Sequence, residues 1–264
     1  MTDSNPFSLA GKSAIITGGG RGIGEGIARA FVEAGASVAL VSRTKEQVDG
    51  VASDLNAAGG TALALPTDIT DLSVLPGVVD RVVGEFGGVD TVVNCAGGGD
   101  MWRPFLDNTS EELEEAFHFN VAAPFALVQA ATPSMLERPG ASVVNIVSAA
   151  IELEARGHLS YDASKGALRY ATLSMAASLG PKIRVNAINP GIIETEAMKA
   201  VTSDNPEILG MLEGMARMRR LGAPRDIGLA AVFLASPAAS FITGVLLDVT
   251  GGKVSTGDQR FPDL

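Results

Sequence analysis

The chain has 264 residues, a formal net charge of −10, 46% hydrophobic residues and 5% aromatic ones. That length suits one large core, and doubly wound α/β units reach it without splitting. So acidic a balance argues against sequence-independent nucleic-acid binding, which runs on basic patches; a single cysteine, Cys95, leaves no disulfide framework and no thiolate metal cluster.

Residues 13–17 form a short apolar run ending in glycines, the pattern of a buried strand. Glycines follow at 18, 19, 20, 22 and 24, then a helix whose core face is Ile23, Ile27, Phe31 and Ala34. A second strand is expected over 38–41, a helix over 45–58 stopping at Gly59-Gly60, and a third strand over 62–65. Residues 72–86 read as helix, and 91–94 as a strand running into Cys95-Ala96-Gly97-Gly98-Gly99. A long helix opens with Ser110 as its N-cap and glutamates in its first turns, where the macrodipole favours them, and runs through Asn120 and Pro124 toward Leu136. After it come a strand over 142–147, a helix over 160–179, a strand over 183–188 and an irregular, methionine-rich stretch over 192–218.

Residues 227–247 are uncharged and long enough to span a bilayer. Pro237 in their middle turns the reading into a helix ending near Ala235, a turn and a buried strand around 245–249. The first residues lack the basic-then-apolar layout of a secretory signal, so a cytoplasmic location is expected. The strand–helix alternation predicts an α/β fold with a parallel sheet and right-handed crossovers. With no linker or repeat, residues 1–264 read as one dinucleotide-binding and catalytic domain, with a substrate loop region at about 192–218.

The first turn decides the ligand class. Gly18, Gly22 and Gly24 let backbone approach a ligand closely, and the helix starting there points free N–H groups at an anion. That is the arrangement of a dinucleotide-pyrophosphate site at the end of the first strand of a doubly wound sheet. Gly11-Lys12-Ser13 resembles the end of a P-loop, but Pro6 stands where its first glycine must be. At the end of the second strand the chain reads Val41-Ser42-Arg43-Thr44-Lys45, with no carboxylate to hold ribose hydroxyls. Arg43, joined by Arg21, suits a 2′-phosphate, so NADP(H) is the expected cofactor and NAD(H) the alternative.

Tyr161 and Lys165 lie one turn apart on one side of a helix. A free phenol titrates near pH ~10, so acid/base work near neutrality needs roughly 4 kcal/mol of help. One positive charge at ~4 Å in an effective dielectric of about 20 supplies about that much. The expectation is a phenol made acidic by its neighbouring amine.

Thr17-Gly18-x-x-x-Gly22-x-Gly24, Asn94-Cys95-Ala96-Gly97, Asn120, Ser148, Tyr161-x-x-x-Lys165 and Pro190-Gly191 together resemble the classical short-chain dehydrogenase/reductase family. The resemblance covers nearly the whole chain and implies a Rossmann-type, doubly wound, seven-stranded parallel sheet of order 3-2-1-4-5-6-7 with three helices on each face. It implies that Tyr161 exchanges a proton with the substrate oxygen, Lys165 lowers its pKa and holds the nicotinamide ribose, Ser148 bonds the developing alkoxide, and Asn120 positions a relay water. It further assigns adenine contacts to Asp68 and Ile69, the adenosine side and ribose to Asn94, Ala96 and Gly97, the turn after the sixth strand to Pro190-Gly191, and the carboxamide and phosphates to Ile193 and Thr195. Ile23 joins the glycine turn in holding the cofactor. Two positions depart from the family pattern: Cys95 replaces its second Asn, and Thr250 its late Asp.

Loops at strand carboxyl ends line the cleft of such folds. Here they offer Met101, Trp102, Ile151, Leu153, Ile192, Ile193, Met198, Met211, Leu212 and Met215, an apolar wall for a bulky hydrophobic carbonyl or secondary alcohol. Within the family the chain looks most like bacterial 7α-hydroxysteroid dehydrogenases, with 3-oxoacyl-carrier-protein reductases next. A non-catalytic dinucleotide sensor on the same fold is the reading from a different class. Ala163, Ala167, Ala171 and Ser174 give the Tyr/Lys helix a small-residue face, and by resemblance the chain forms a homotetramer to which the C-terminal tail contributes. No metal is expected, since neither His118 nor His158 has a ligand-spaced partner; membrane and nucleic acid are not expected as partners.

Overall fold

The central apolar runs, 14–16, 38–41, 92–93 and 143–144, are hydrophobic at consecutive positions, the mark of strands covered on both faces. A computed structural model describes residues 5–99, 102–152 and 156–252. Met101, Leu153 and the C-terminal tail beyond residue 252 lie outside the described residues. The strands are β1 (Ser13–Thr17), β2 (Ser37–Ser42), β3 (Thr61–Pro66), β4 (Thr91–Asn94), β5 (Ser142–Ile146), β6 (Arg184–Pro190) and β7 (Leu246–Val249). They form one seven-stranded sheet in the order β3-β2-β1-β4-β5-β6-β7, every pair parallel. The order reverses between β1 and β4, and at such a point two neighbouring loops leave in opposite directions and open a crevice.

Helices cover both faces. On one side α1 (Gly22–Glu33), α2 (Lys45–Ala57) and α9 (Pro224–Ala235) share a core with Ile16, Val38, Leu40, Val93 and Ile188. On the other, α3 (Leu75–Phe86), α5 (Ala123–Leu136) and α6 (Leu159–Leu179) pack on Ile15, Val41, Val92, Val143 and Val185. The three-and-three arrangement expected from the resemblance is therefore present. The placement of α1 depends on close backbone contact with α9. A β-carbon on Gly228 would come within 2.5 Å of the Gly26 carbonyl oxygen, and one on Gly26 within 2.6 Å of the Pro224 carbonyl oxygen.

Three elements differ from the sequence reading. The long helix after β4 is three pieces: α4 (Ser110–Phe117), a π-helical turn (His118–Ala122) and α5. Its N-cap is Thr109 rather than Ser110, because the Thr109 hydroxyl accepts from the Glu112 N–H while the Glu112 carboxylate accepts from the Thr109 N–H. β7 is not a buried strand: it lies at the sheet edge, with Asp248 exposed and its other residues half-buried. The stretch over 192–218 contains two short helices, α7 (Glu196–Thr202) and α8 (Pro206–Gly214). No described helix is long and apolar enough to cross a membrane.

Candidate active site

Thr17, at the end of β1, ties the two halves of the crevice together. Its Oγ1 accepts hydrogen bonds from the Cys95 and Ala96 N–H groups, each at 3.0 Å, so the end of β4 is pinned beside the glycine turn. A β-carbon on Gly24 would come within 2.1 Å of the Gly18 carbonyl oxygen, and one on Gly18 within 3.1 Å of Ala96. Above this floor lies a cleft of about 1210 Å³. It is a cradle that side chains would fill, with the first turn of α1 at its base, and it suits the anionic middle of a dinucleotide.

The adenosine end expected from the sequence is formed by Ser42, Arg43, Asp68 and Ile69, with Thr44, Gln47 and Phe119 beside them. The Arg43 guanidinium carbon lies 6.0 Å from the Phe119 ring centre, a cation–π distance. Asp68 uses one carboxylate oxygen to accept from the Thr70 N–H and hydroxyl, at 3.0 and 2.8 Å. These bonds hold its carboxyl below the usual range, against a smaller desolvation effect and with help from Arg43.

At the other end the π turn delivers Asn120 into the wall. One extra residue per turn rotates the helix, and Asn120 is fully buried there. Its Oδ1 accepts from the Gly98 N–H at 3.1 Å; its Nδ2 donates to the Gly98 carbonyl at 2.7 Å and to Ser164 Oγ at 3.0 Å. Ser164 in turn donates to the Tyr161 carbonyl at 2.9 Å. The amide is thereby locked to both the loop after β4 and the first turns of α6. Lys165, one turn along α6 from Tyr161, is only 3% exposed and donates from Nζ to the Ile146 carbonyl at 2.9 Å. Tyr161 and Lys165 face the same side, with Nζ 6.0 Å from the phenol ring centre. Ser148, just beyond β5, hydrogen-bonds the phenol and also accepts from the Ala150 N–H.

The electrostatics correct one expectation. Burial holds the Tyr161 phenol above its ordinary value, and the Ser148 hydrogen bond offsets only part of that. The same burial pushes Lys165 down to about 8. At this separation, and with the ammonium directed to the Ile146 carbonyl, the lysine does not overcome the desolvation of the phenol. Cys95, half-buried at the end of β4, has its thiol pushed up to about 12 by burial, partly offset by Lys165, and so is not a thiolate near neutral pH.

Gly18, Arg21, Gly22, Ile23, Gly24, Ser42, Arg43, Asp68, Ile69, Ala96, Gly97 and Thr195 all line the cleft. Six predicted cofactor residues do not: Tyr161 and Lys165 stand behind the lining residues Gly97, Gly99 and Ser160, and four others point elsewhere. Asn94 is buried, and its Nδ2 donates to Asn145 Oδ1 at 2.8 Å, so its amide joins two strands instead of facing the cleft. Ile193 is core, Pro190 ends β6 in the interior, and Gly191 packs against Thr250. Sequence reasoning missed Ser164 and Phe119. Their only signal was adjacency to Lys165 and Asn120. It also missed the docking of the Trp102 loop on the start of α6, where Arg103 N–H donates to the Gly157 carbonyl and the Trp102 and His158 rings meet edge-on at 4.8 Å.

Residues 18–253 match the family model described as enoyl-(acyl carrier protein) reductase. An uncharacterised oxidoreductase of Mycobacterium tuberculosis is 45% identical over 98% of both chains. The 7α-hydroxysteroid dehydrogenase of Escherichia coli K12 is 41% identical over 96% of this chain and 98% of its own length. A solved 7α-hydroxysteroid dehydrogenase, complexed with NADH and 7-oxo glycochenodeoxycholic acid, superposes with a TM-score of 0.90 at 41% identity, covering 96% of this chain and 98% of that one.

The buried ammonium has a measurable consequence. The unfolded chain keeps this proton up to about 10.5, whereas the folded chain releases it near 8. Between those values the unfolded state binds more protons, so raising the pH favours the folded state. Urea titrations of wild type and Lys165→Met between pH 7.5 and 10 should show wild type gaining about 2–3 kcal/mol relative to the variant. Parallel stability curves would contradict a buried, destabilised charge.

Proposed function

The chain belongs to the short-chain dehydrogenase/reductase family of NAD(P)-dependent oxidoreductases acting on CH–OH groups, and from that premise we propose that Tyr161 is its acid/base. The proposed reaction interconverts a secondary alcohol and a ketone on a bulky hydrophobic substrate, of hydroxysteroid type. The observation that carries this reading is the convergence of Asn120, Ser148, Tyr161 and Lys165 beside a glycine-floored cleft. Bound in that cleft, the nicotinamide supplies or accepts the hydride. In reduction the Tyr161 phenol donates its proton to the carbonyl oxygen, while the Ser148 hydroxyl stabilises the same oxygen as negative charge develops on it. Oxidation runs these two roles in reverse. Lys165 holds positive charge beside the phenol in a desolvated site, and Asn120 fixes the loop and helix that carry both groups. The whole chain acts as one unit, with 192–218 as the substrate wall. Half-buried Met198 and exposed Trp102, Met211 and Met215 support an apolar substrate.

A second substrate class, 3-oxoacyl thioesters, shares the acyl-carrier thioester, though not the enoyl group, with the description of the matching family model. A panel of hydroxysteroids and 3-oxoacyl thioesters, followed by absorbance of the reduced nicotinamide, separates the two. On the substrate so found, Tyr161→Phe should keep cofactor binding and lose turnover by about 10²–10⁴-fold. Unchanged turnover would remove Tyr161 from the mechanism, and a cofactor-binding chain inactive on every substrate would favour a sensor.

NADP(H) is the proposed cofactor. Arg21 and Arg43 both stand exposed on the cleft wall beside Ser42, and β2 ends without a carboxylate. A 2′-phosphate gains charge-assisted hydrogen bonds from such a pair. Titration should show NADPH binding at least about tenfold tighter than NADH, with Arg43→Ala removing most of the difference. Tighter NADH binding by wild type would overturn the preference.

We also infer a cytoplasmic homotetramer. Phe117, Phe125, Tyr170 and Leu173 are exposed on α4, α5 and α6, and Leu229 and Phe241 on or near α9, two apolar faces of the kind that subunits cover. Sedimentation at micromolar concentration should give a mass of four chains; a one-chain mass would refute the assembly.

A further inference from the structure

We propose that Glu196 is a built-in competitor for the anion site at the start of α1, setting how tightly the cofactor is held. The inference rests on the dinucleotide reading above and adds a residue that opposes it. α1 begins at Gly22 with no side-chain cap from Arg21, so its first turn, Gly22 to Gly24, presents its N–H groups to the cleft. Facing that turn is the start of α7. The Thr195 methyl lies 3.1 Å from where a β-carbon on Gly22 would sit, and Glu196 Oε2 lies 3.8 Å from the same point.

The two side chains are not equivalent. The Thr195 hydroxyl is committed to the Met198 N–H, which it caps at 3.3 Å. Glu196 brings a full negative charge to the cleft wall. Lys199, the one cation on α7, turns to Glu194 at 3.7 Å. A carboxylate beside a helix N-terminus is favourable when nothing else is there. It becomes unfavourable when a pyrophosphate takes those N–H groups, since two anions then stand close together at the start of one helix. Cofactor entry therefore requires Glu196 to swing outward. α7 belongs to the stretch that walls the substrate side, so this motion links the two ligands.

Equilibrium titration with the reduced dinucleotide, read by its fluorescence, tests this directly. Glu196→Gln should bind about threefold to tenfold more tightly than wild type at about 20 mM salt, with the gain shrinking toward nothing near 500 mM as screening sets in. Glu137→Gln removes the same charge at the C-cap of α5, just before β5 begins and so at the other end of the strands from the cleft, and should match wild type. Equal or weaker binding by Glu196→Gln, or equal tightening by Glu137→Gln, overturns the proposal while leaving the dinucleotide reading intact. Failure of wild type to bind either nicotinamide dinucleotide overturns both.

Discussion

A lysine ammonium buried against one backbone carbonyl is the constraint on which the rest of the site depends. Lys165 has three N–H donors, and Ile146 supplies one acceptor from the interior end of β5. Removing a charge from water is unfavourable by several kcal/mol even after relaxation, and the downward displacement of its pKa is the visible trace of that. The neighbouring structure reads as accommodation of this one group. Gly97 is bare because a methyl there would lie 2.5 Å from Nζ and 2.7 Å from Asn120 Oδ1. The Asn120 amide is held to Gly98 by two hydrogen bonds and to Ser164 by a third, which fixes the wall beside the ammonium.

The same burial explains why phenol and amine are displaced in opposite directions. Each group is neutral in the form that desolvation favours: phenol for Tyr161, free amine for Lys165. Each therefore resists charging until something else shares the cost. A Coulomb estimate from helical spacing alone places the two charges in a dielectric of about 20 and omits the loss of hydration that precedes their interaction. The Ser148 hydroxyl is the protein's own partial remedy, since it bonds the phenol oxygen without adding charge.

What was legible in the sequence follows from this physics. Parallel strands buried on both faces announce themselves as apolar runs, so the strands are legible in the sequence, and the motif glycines mark the crevice. The order of the strands came from the family resemblance, which the sheet bears out. The π turn was invisible because Phe117, Asn120 and Pro124 fit an uninterrupted helical pattern, and a single added residue leaves that pattern almost unchanged. Asn94 was ambiguous for a related reason: its position beside Cys95-Ala96-Gly97 points to the cleft, while alternation along β4 turns its side chain to Asn145. β7 was judged from composition, and composition does not say whether a strand has a neighbour on its second side.

Charge distribution takes the reasoning one step further. A chain of net charge −10 must bind a polyanion, so its cleft cannot rely on overall attraction. Its cations sit at the adenosine end, Arg21 and Arg43, while Glu112, Glu115 and Glu196 also line the walls. The two signs are intermingled: the Asp68 carboxylate feels Arg43, and Arg43 lies over Phe119, one turn along from Glu115. An anionic ligand therefore meets both signs of charge on the cleft wall, and local placement, more than the charge of the whole chain, governs how it is held.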